Sequence, residues 1–191
     1  MPSNHAANQF AKECIVTALL KLMKTIPFEE ISVSDITRKA GVSRMAYYRN
    51  YESKIDILET YLNEAALFLD QSTIPLFESG DMEGYYECLF ADFAKSSELY
   101  LNLLHADLGD VILRYFNRCT LRFAGRYLDA AQHRYELLAL SGAVFNMAMT
   151  WLKEGTQETP REMARKCISV TKYHTAWELA LLKSEKASNQ P

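Results

Sequence analysis

The sequence predicts an all-α protein, and three observations carry that prediction. Apolar residues recur at three- and four-residue intervals over long stretches, Gly and Pro are few (seven and five), and no alternating β-rich runs bounded by turn pairs occur. With 191 residues, 49% of them hydrophobic, the chain can bury a substantial core as one domain or two small ones, and disorder of the whole is excluded.

Over residues 8–26, Phe10/Ala11, Cys14/Ile15, Ala18/Leu19, Leu22/Met23 and Ile26 form a wide helical stripe that Pro27 ends. Ser32 followed by Asp35 is a capping-box start for a short helix over 33–40, with Ile36 and Ala40 four apart. Gly41 stops it, because glycine relieves the left-handed backbone of a tight turn. Val42 can plug that turn from inside, and Ser43 can cap a second short helix running through Tyr51. Helices this short are unstable alone, so the opening helix is expected to be the wall on which Ile36, Ala40, Val42, Tyr47 and Tyr51 pack.

Helix, glycine turn, helix is the plan of a helix-turn-helix. Steps of about 100° place Arg44, Met45, Tyr48 and Arg49 on one side of the second helix and Tyr47, Asn50 and Tyr51 roughly opposite. One side can pack and the other can read a groove edge: guanidinium forks bind phosphate or guanine, and phenol hydroxyls donate to phosphate oxygens. The charge distribution agrees. Residues 1–54 hold eight Lys/Arg and five Asp/Glu, net +3; the remainder holds thirteen against nineteen, net −6, which gives −3 overall. Attraction to phosphate depends on the local field rather than on whole-chain charge.

Ser53 and Asp56 repeat the capping pattern and open a helix carrying Ile55, Leu58, Tyr61/Leu62, Ala65/Ala66 and Leu69 to Asp70, with no linker between it and the preceding head. Residues 72–80, STIPLFESG, read as a break. Helices over 81–95, 98–105 and 108–127 follow, jointed at Asp107 and Gly109; their large residues, among them Tyr85, Tyr86, Phe90, Phe93, Tyr100, Tyr115, Phe116 and Phe123, form either a solid core or a pocket. A helix over 134–154 stops at Gly155, Thr159-Pro160-Arg161-Glu162 opens another to residue 183, and 184–191 is expected to be a disordered tail. Ser141, Gly142, Ala143, Ala148, Ala164, Cys167 and Ala176 suit close helix approach, within one chain or between two.

Catalytic and metal chemistry find no support. Cys14, Cys88, Cys119 and Cys167 form no C-x-x-C pair and are expected to be reduced, and His5, His105, His133 and His174 lack metal-ligand spacing. No nucleophile elbow, Walker loop or dinucleotide fingerprint occurs, so neither catalytic residues nor a cofactor are expected. The N-terminus has no apolar signal core, and no run approaches the ~18–20 apolar residues of a membrane span, so the expected location is cytoplasmic, without membrane contact.

The stretch from Phe10 to Leu58, with FEEISVSDITRKAGVSRMAYYRNYESKIDIL at its heart, resembles the DNA-binding domain of TetR-type transcriptional regulators. Gly41-Val42-Ser43, Tyr47-Tyr48, Tyr51 and Ser53-Lys54 all stand at that family's spacings; Asn50 stands where histidine is usual and Thr37 where alanine is usual. The resemblance implies a three-helix head over 1–52 and a helical ligand-binding and dimerisation body over 53–183. It implies contacts with double-stranded DNA through Ser34, Ser43, Arg44, Met45, Tyr48, Arg49, Asn50 and Lys54. Arg44, Met45 and Arg49 would meet base edges or nearby phosphates; Tyr48, Asn50 and Lys54 would meet mainly the backbone. TWLKEGTQETPREMA resembles the joint between the last two helices, through which such regulators form homodimers. A small-molecule effector is implied as well, with Tyr61, Phe90, Phe93, Tyr100, His105, Phe116, Phe145, Asn146 and Met149 as lining residues. The expected role is a repressor of a palindromic operator released by that effector; the alternative is an activator or interaction module whose body docks a partner protein.

Overall fold

The computed structural model describes residues 4–171. Within them the chain forms α1 (Asn4–Met23), a 3-10 turn (Phe28–Glu30), α2 (Val33–Ala40), α3 (Arg44–Asn50), α4 (Lys54–Glu78), α5 (Met82–Lys95), α6 (Ser97–His105), α7 (Gly109–Ala124), α8 (Arg134–Lys153) and α9 (Pro160–Thr171), with no strand among the described residues. The fold is all-α, as the periodicity predicts. The end of the last helix at 183, Ala176, His174 and the 184–191 tail lie outside the described residues.

The head is built from α1, α2 and α3. Ile15, Ala18, Leu19 and Leu22 of α1 are buried together with Phe28, Ile31, Ile36, Tyr47 and Tyr51. Phe10, which the periodicity assigned to this stripe, is instead 67% exposed. The capping box of α2 is complete: Asp35 N–H donates to Ser32 Oγ at 3.2 Å, and Ser32 N–H donates back to the Asp35 carboxylate at 3.2 Å. Gly41 ends the helix at φ +68°, the left-handed region. Thr37 fits the buried side of α2 because its hydroxyl donates to the carbonyl of Val33 at 2.9 Å, leaving no unmatched polar group.

The body departs from expectation at α4, which runs unbroken through residues 72–78. Pro75 lies inside the helix and removes one backbone bond, a cost of about 3 kcal/mol in a helix interior. Two residues on, Phe77 is fully buried against the rings of Tyr85, Phe123 and Tyr127, at centroid distances of 5.9, 5.1 and 4.8 Å. Burial of that side chain contributes roughly 1.5–3 kcal/mol, and each favourable ring pair about 0.5–1.5 more, enough to offset the proline. The break falls at 79–81, where Gly80 takes φ +78° and the N–H of Asp81 reaches back to the Leu76 carbonyl at 2.9 Å.

α9 packs along α5, α8 lies beside α7, and α4 touches α1 in the head and both α5 and α7 in the body. α7 ends at Ala124, three residues before the predicted Tyr127, and a series of turns leads into α8. Ser141, Ala148, Ala164 and Cys167 are buried within the chain, whereas Gly142 and Ala143 are half-buried.

Candidate functional site

The exposed face of α3 is set by what lies behind it. Tyr47 is fully buried and Tyr51 nearly so, their ring centroids 6.3 Å apart, and they fix the helix against α1. Met45 is 73% exposed and Tyr48 61% exposed, with Arg44 and Arg49 also at the surface. Arg44, Met45, Tyr48 and Arg49 thus share the outward side of one capped helix. Ser43 caps it, its Oγ accepting from Ala46 N–H at 3.1 Å. Arg44 donates to Ser34 Oγ, which ties the start of α3 to the first turn of α2.

Two of the expected contact residues turn inward. Asn50 donates to Asn8 Oδ1 at 3.0 Å and to the Ala46 carbonyl at 2.8 Å, while Asn8 donates to Asn50 Oδ1 at 2.9 Å. Lys54 donates to the carbonyls of Phe28 and Glu29 at 2.5 and 3.2 Å, and its ammonium lies 4.6 Å from the Phe28 ring centroid. Burial holds the Lys54 ammonium below its ordinary range, against the opposing pull of Glu29. Lys54 therefore fastens the first turn of α4 to the turn that follows α1. Asn8 was missed by sequence reasoning, since nothing local signals a partner 42 residues away.

In the body, α4, α5, α7 and α8 line a partly open cavity of about 90 Å³. Ala66, Leu69, Asp70 and Thr73 of α4 face it, as do Tyr85, Tyr86, Leu89 and Phe93 of α5, Tyr115, Phe116, Cys119, Thr120 and Phe123 of α7, and Leu140 and Val144 of α8. Of the nine lining residues expected, Phe93 and Phe116 border this cavity, their rings stacked at 5.2 Å. Phe90, Tyr100 and Met149 are buried in the surrounding core, and Phe145 packs edge-on against Phe116 at 5.8 Å. Tyr61, His105 and Asn146 lie at the surface; Asn146 donates to the Gly142 carbonyl of its own helix at 2.9 Å. Thr73 was missed because a break was expected at residue 72; Ala66, Leu69 and Asp70 lay inside the expected helix but were not assigned to a pocket. Carrying the helical period through Pro75 places Ala66, Leu69, Asp70 and Thr73 on one face.

Asp70 is the one carboxylate bordering the cavity. Its Oδ2 accepts from Arg122 at 3.2 Å and lies 3.5 Å from Arg126. Glu59, three turns earlier on α4, lies 3.5 Å from Arg114 and 3.2 Å from Arg118. α7 and its C-terminal extension thus present arginines every four residues to two acids of α4. Burial pushes the Cys119 thiol up to about 11 and raises the hydroxyls of Tyr85, Tyr86 and Tyr115 well beyond their ordinary value, so all four are neutral near pH 7. Among the described residues no group of three His, Cys, Asp or Glu could hold a metal, and no helix is long and apolar enough to cross a membrane.

The chain thus joins a helix-turn-helix head to a helical body. Residues 80–173 match the family described as the transcriptional regulator C-terminal region of TetR type. That match covers 94 of the 191 residues. Among solved structures it is similar to a TetR transcriptional regulator from Streptococcus agalactiae 2603V, with TM-score 0.61 and 18% identity over 87% of this chain and 96% of that one. It is also similar to the dihydroxyacetone kinase operon activator DhaS, with TM-score 0.56 and 12% identity over 85% of this chain and 94% of that one. Both likenesses speak for the fold. No curated protein sequence matches.

Proposed function

We propose that the chain is a homodimeric operator-binding repressor whose DNA affinity is set by a small effector in the body. The carrying observation is the exposed row of Arg44, Met45, Tyr48 and Arg49 on a helix whose opposite side is locked by buried Tyr47 and Tyr51. Such a helix can enter a major groove with its guanidinium groups against bases or phosphates. In this reading residues 1–52 are the reading head and 53–183 the sensing and pairing body. The last two helices supply the dimer contact, with Ala139, Asn146 and Thr150 forming an outward row on α8 that leaves room for a second backbone.

An effector would occupy the cavity bordered by Phe93, Phe116 and Asp70 and shift the body toward a conformation with a different head spacing, lowering DNA affinity by its differential binding to the two states. The operon activator among the similar folds favours a second reading, in which the same head recruits rather than blocks transcription. Selection of bound duplexes from a random pool, at fixed salt, tests the core of the proposal. An enriched palindrome with half-sites about 34 Å apart is expected; no enrichment across salt conditions would sink operator binding. A promoter–reporter assay with the selected site then separates repression from activation.

A further inference from the structure

We propose that the body cavity takes a small organic cation, an ammonium group of a few heavy atoms held by Asp70 inside a box of aromatic rings. The inference rests on the reading of this cavity as the effector site, and it names the chemical class of the effector.

Six aromatic residues border the space: Tyr85, Tyr86, Phe93, Tyr115, Phe116 and Phe123. Ring faces carry the negative part of the aromatic quadrupole and attract a cation, most strongly where water is excluded. Among the described residues, the single formal charge bordering the cavity is the Asp70 carboxylate. Its arginine partners Arg122 and Arg126 do not border the cavity, and both engage Oδ2. The Thr73 hydroxyl is already committed to the Leu69 carbonyl at 3.1 Å. An anion would meet aromatic rings and a carboxylate, and no cationic group among the described residues borders the space. A neutral molecule would leave the carboxylate to its two arginines and gain no charge from it.

Size narrows the class further. A cavity of about 90 Å³ is smaller than the ~150 Å³ space that holds benzene, so it suits a compact group such as a branched alkylammonium. Position makes the charge consequential. Asp70 belongs to α4, the helix that Lys54 fastens to the head, so a cation competing with Arg122 and Arg126 for Asp70 loosens α4 from α7 directly.

The test uses the full chain and three probes of similar shape: tert-butylammonium, tert-butanol and pivalate, at matched ionic strength, read by saturation-transfer NMR and thermal shift. The ammonium is expected to bind about tenfold more tightly than the alcohol, with pivalate weakest. In Asp70→Asn the ammonium and alcohol should bind equally. Alcohol or pivalate binding as well as ammonium in the unaltered protein overturns the cation assignment while leaving the cavity a binding site, and this arm needs no variant to fold. Ammonium preference that survives Asp70→Asn overturns the role of Asp70. Failure of all three probes to bind overturns the effector cavity itself.

Discussion

The side-chain amides of Asn8 and Asn50 face each other between α1 and α3 and exchange two hydrogen bonds, at 2.9 and 3.0 Å. Each supplies the donor that the other's oxygen needs, and the pair is half-buried. Asn50→Ala strands both halves of the Asn8 amide, so a loss of about 1–2 kcal/mol is expected. In a double-mutant cycle with Asn8→Ala, measured by urea unfolding, the coupling energy should be about 0.5–1.5 kcal/mol. A cycle that closes at zero would show that the pair does not hold α3.

Tyr47 offers a sharper separation of ring from hydroxyl. Its ring is fully buried, and its hydroxyl has no hydrogen-bond partner among the described residues. Tyr47→Ala should cost about 3–5 kcal/mol by removing a packed ring. Tyr47→Phe should be neutral or stabilising by up to about 1 kcal/mol, since it removes an unmatched polar atom. Thermal and chemical melts of the two variants decide this, and a strongly destabilised Phe variant would contradict it.

Gly41 tests the turn itself. Its φ is +68°, and a Cβ added there meets nothing within 4 Å, so the penalty for alanine is backbone strain without a clash. Gly41→Ala should cost about 1–2 kcal/mol. Gly41→Asn should cost less, because asparagine tolerates the left-handed region better. Equal melting of all three proteins would remove the left-handed turn.

Alkaline pH should weaken the head through Tyr51. Burial, with smaller contributions from Glu64 and Asp56, pushes the Tyr51 hydroxyl up to about 12. Its folded value lies above the unfolded value of about 10, so this part of the stability is intact below pH ~10 and is lost as pH rises from about 10 to about 12. Denaturant melts across that window should show falling stability, and Tyr51→Phe should flatten the slope. A slope unchanged in the variant would reject the assignment.

For the reading face, Arg44→Ala and Arg49→Ala should each weaken operator binding by about 1–3 kcal/mol at fixed salt. Because these side chains are exposed, unfolding stability should move by no more than about 0.5 kcal/mol. Normal binding by both variants would place the DNA contact elsewhere.

The head was legible in the sequence because local signals set it. Ser32 and Asp35 start α2, Gly41 ends it, Ser43 starts α3, and each acts within a few residues. The helical phase put Asn50 on the packed side, but its partner Asn8 was not legible, nor was the inward turn of Lys54, since Asn8, Phe28 and Glu29 come from far along the chain. The continuation of α4 was hidden by Pro75, whose local preference is overruled by the distant rings around Phe77. The cavity followed suit: Phe93 and Phe116 were named as lining, but Thr73 became visible only once α4 was known to continue, and Asp70, at the end of the expected helix, carried no local sign of a cavity.

α4 is 25 residues long, which at 1.5 Å per residue makes a rod of about 37 Å. Clamped near Phe77 and tilted by about 5°, such a rod swings its Lys54 end by about 3 Å. In a pair of copies swinging apart, that becomes about 6 Å between heads, close to two base-pair steps of ~3.4 Å. In the proposed dimer, the length of one helix would work as mechanical gearing, turning a rearrangement no wider than a single side chain into a mismatch of phase with the double helix.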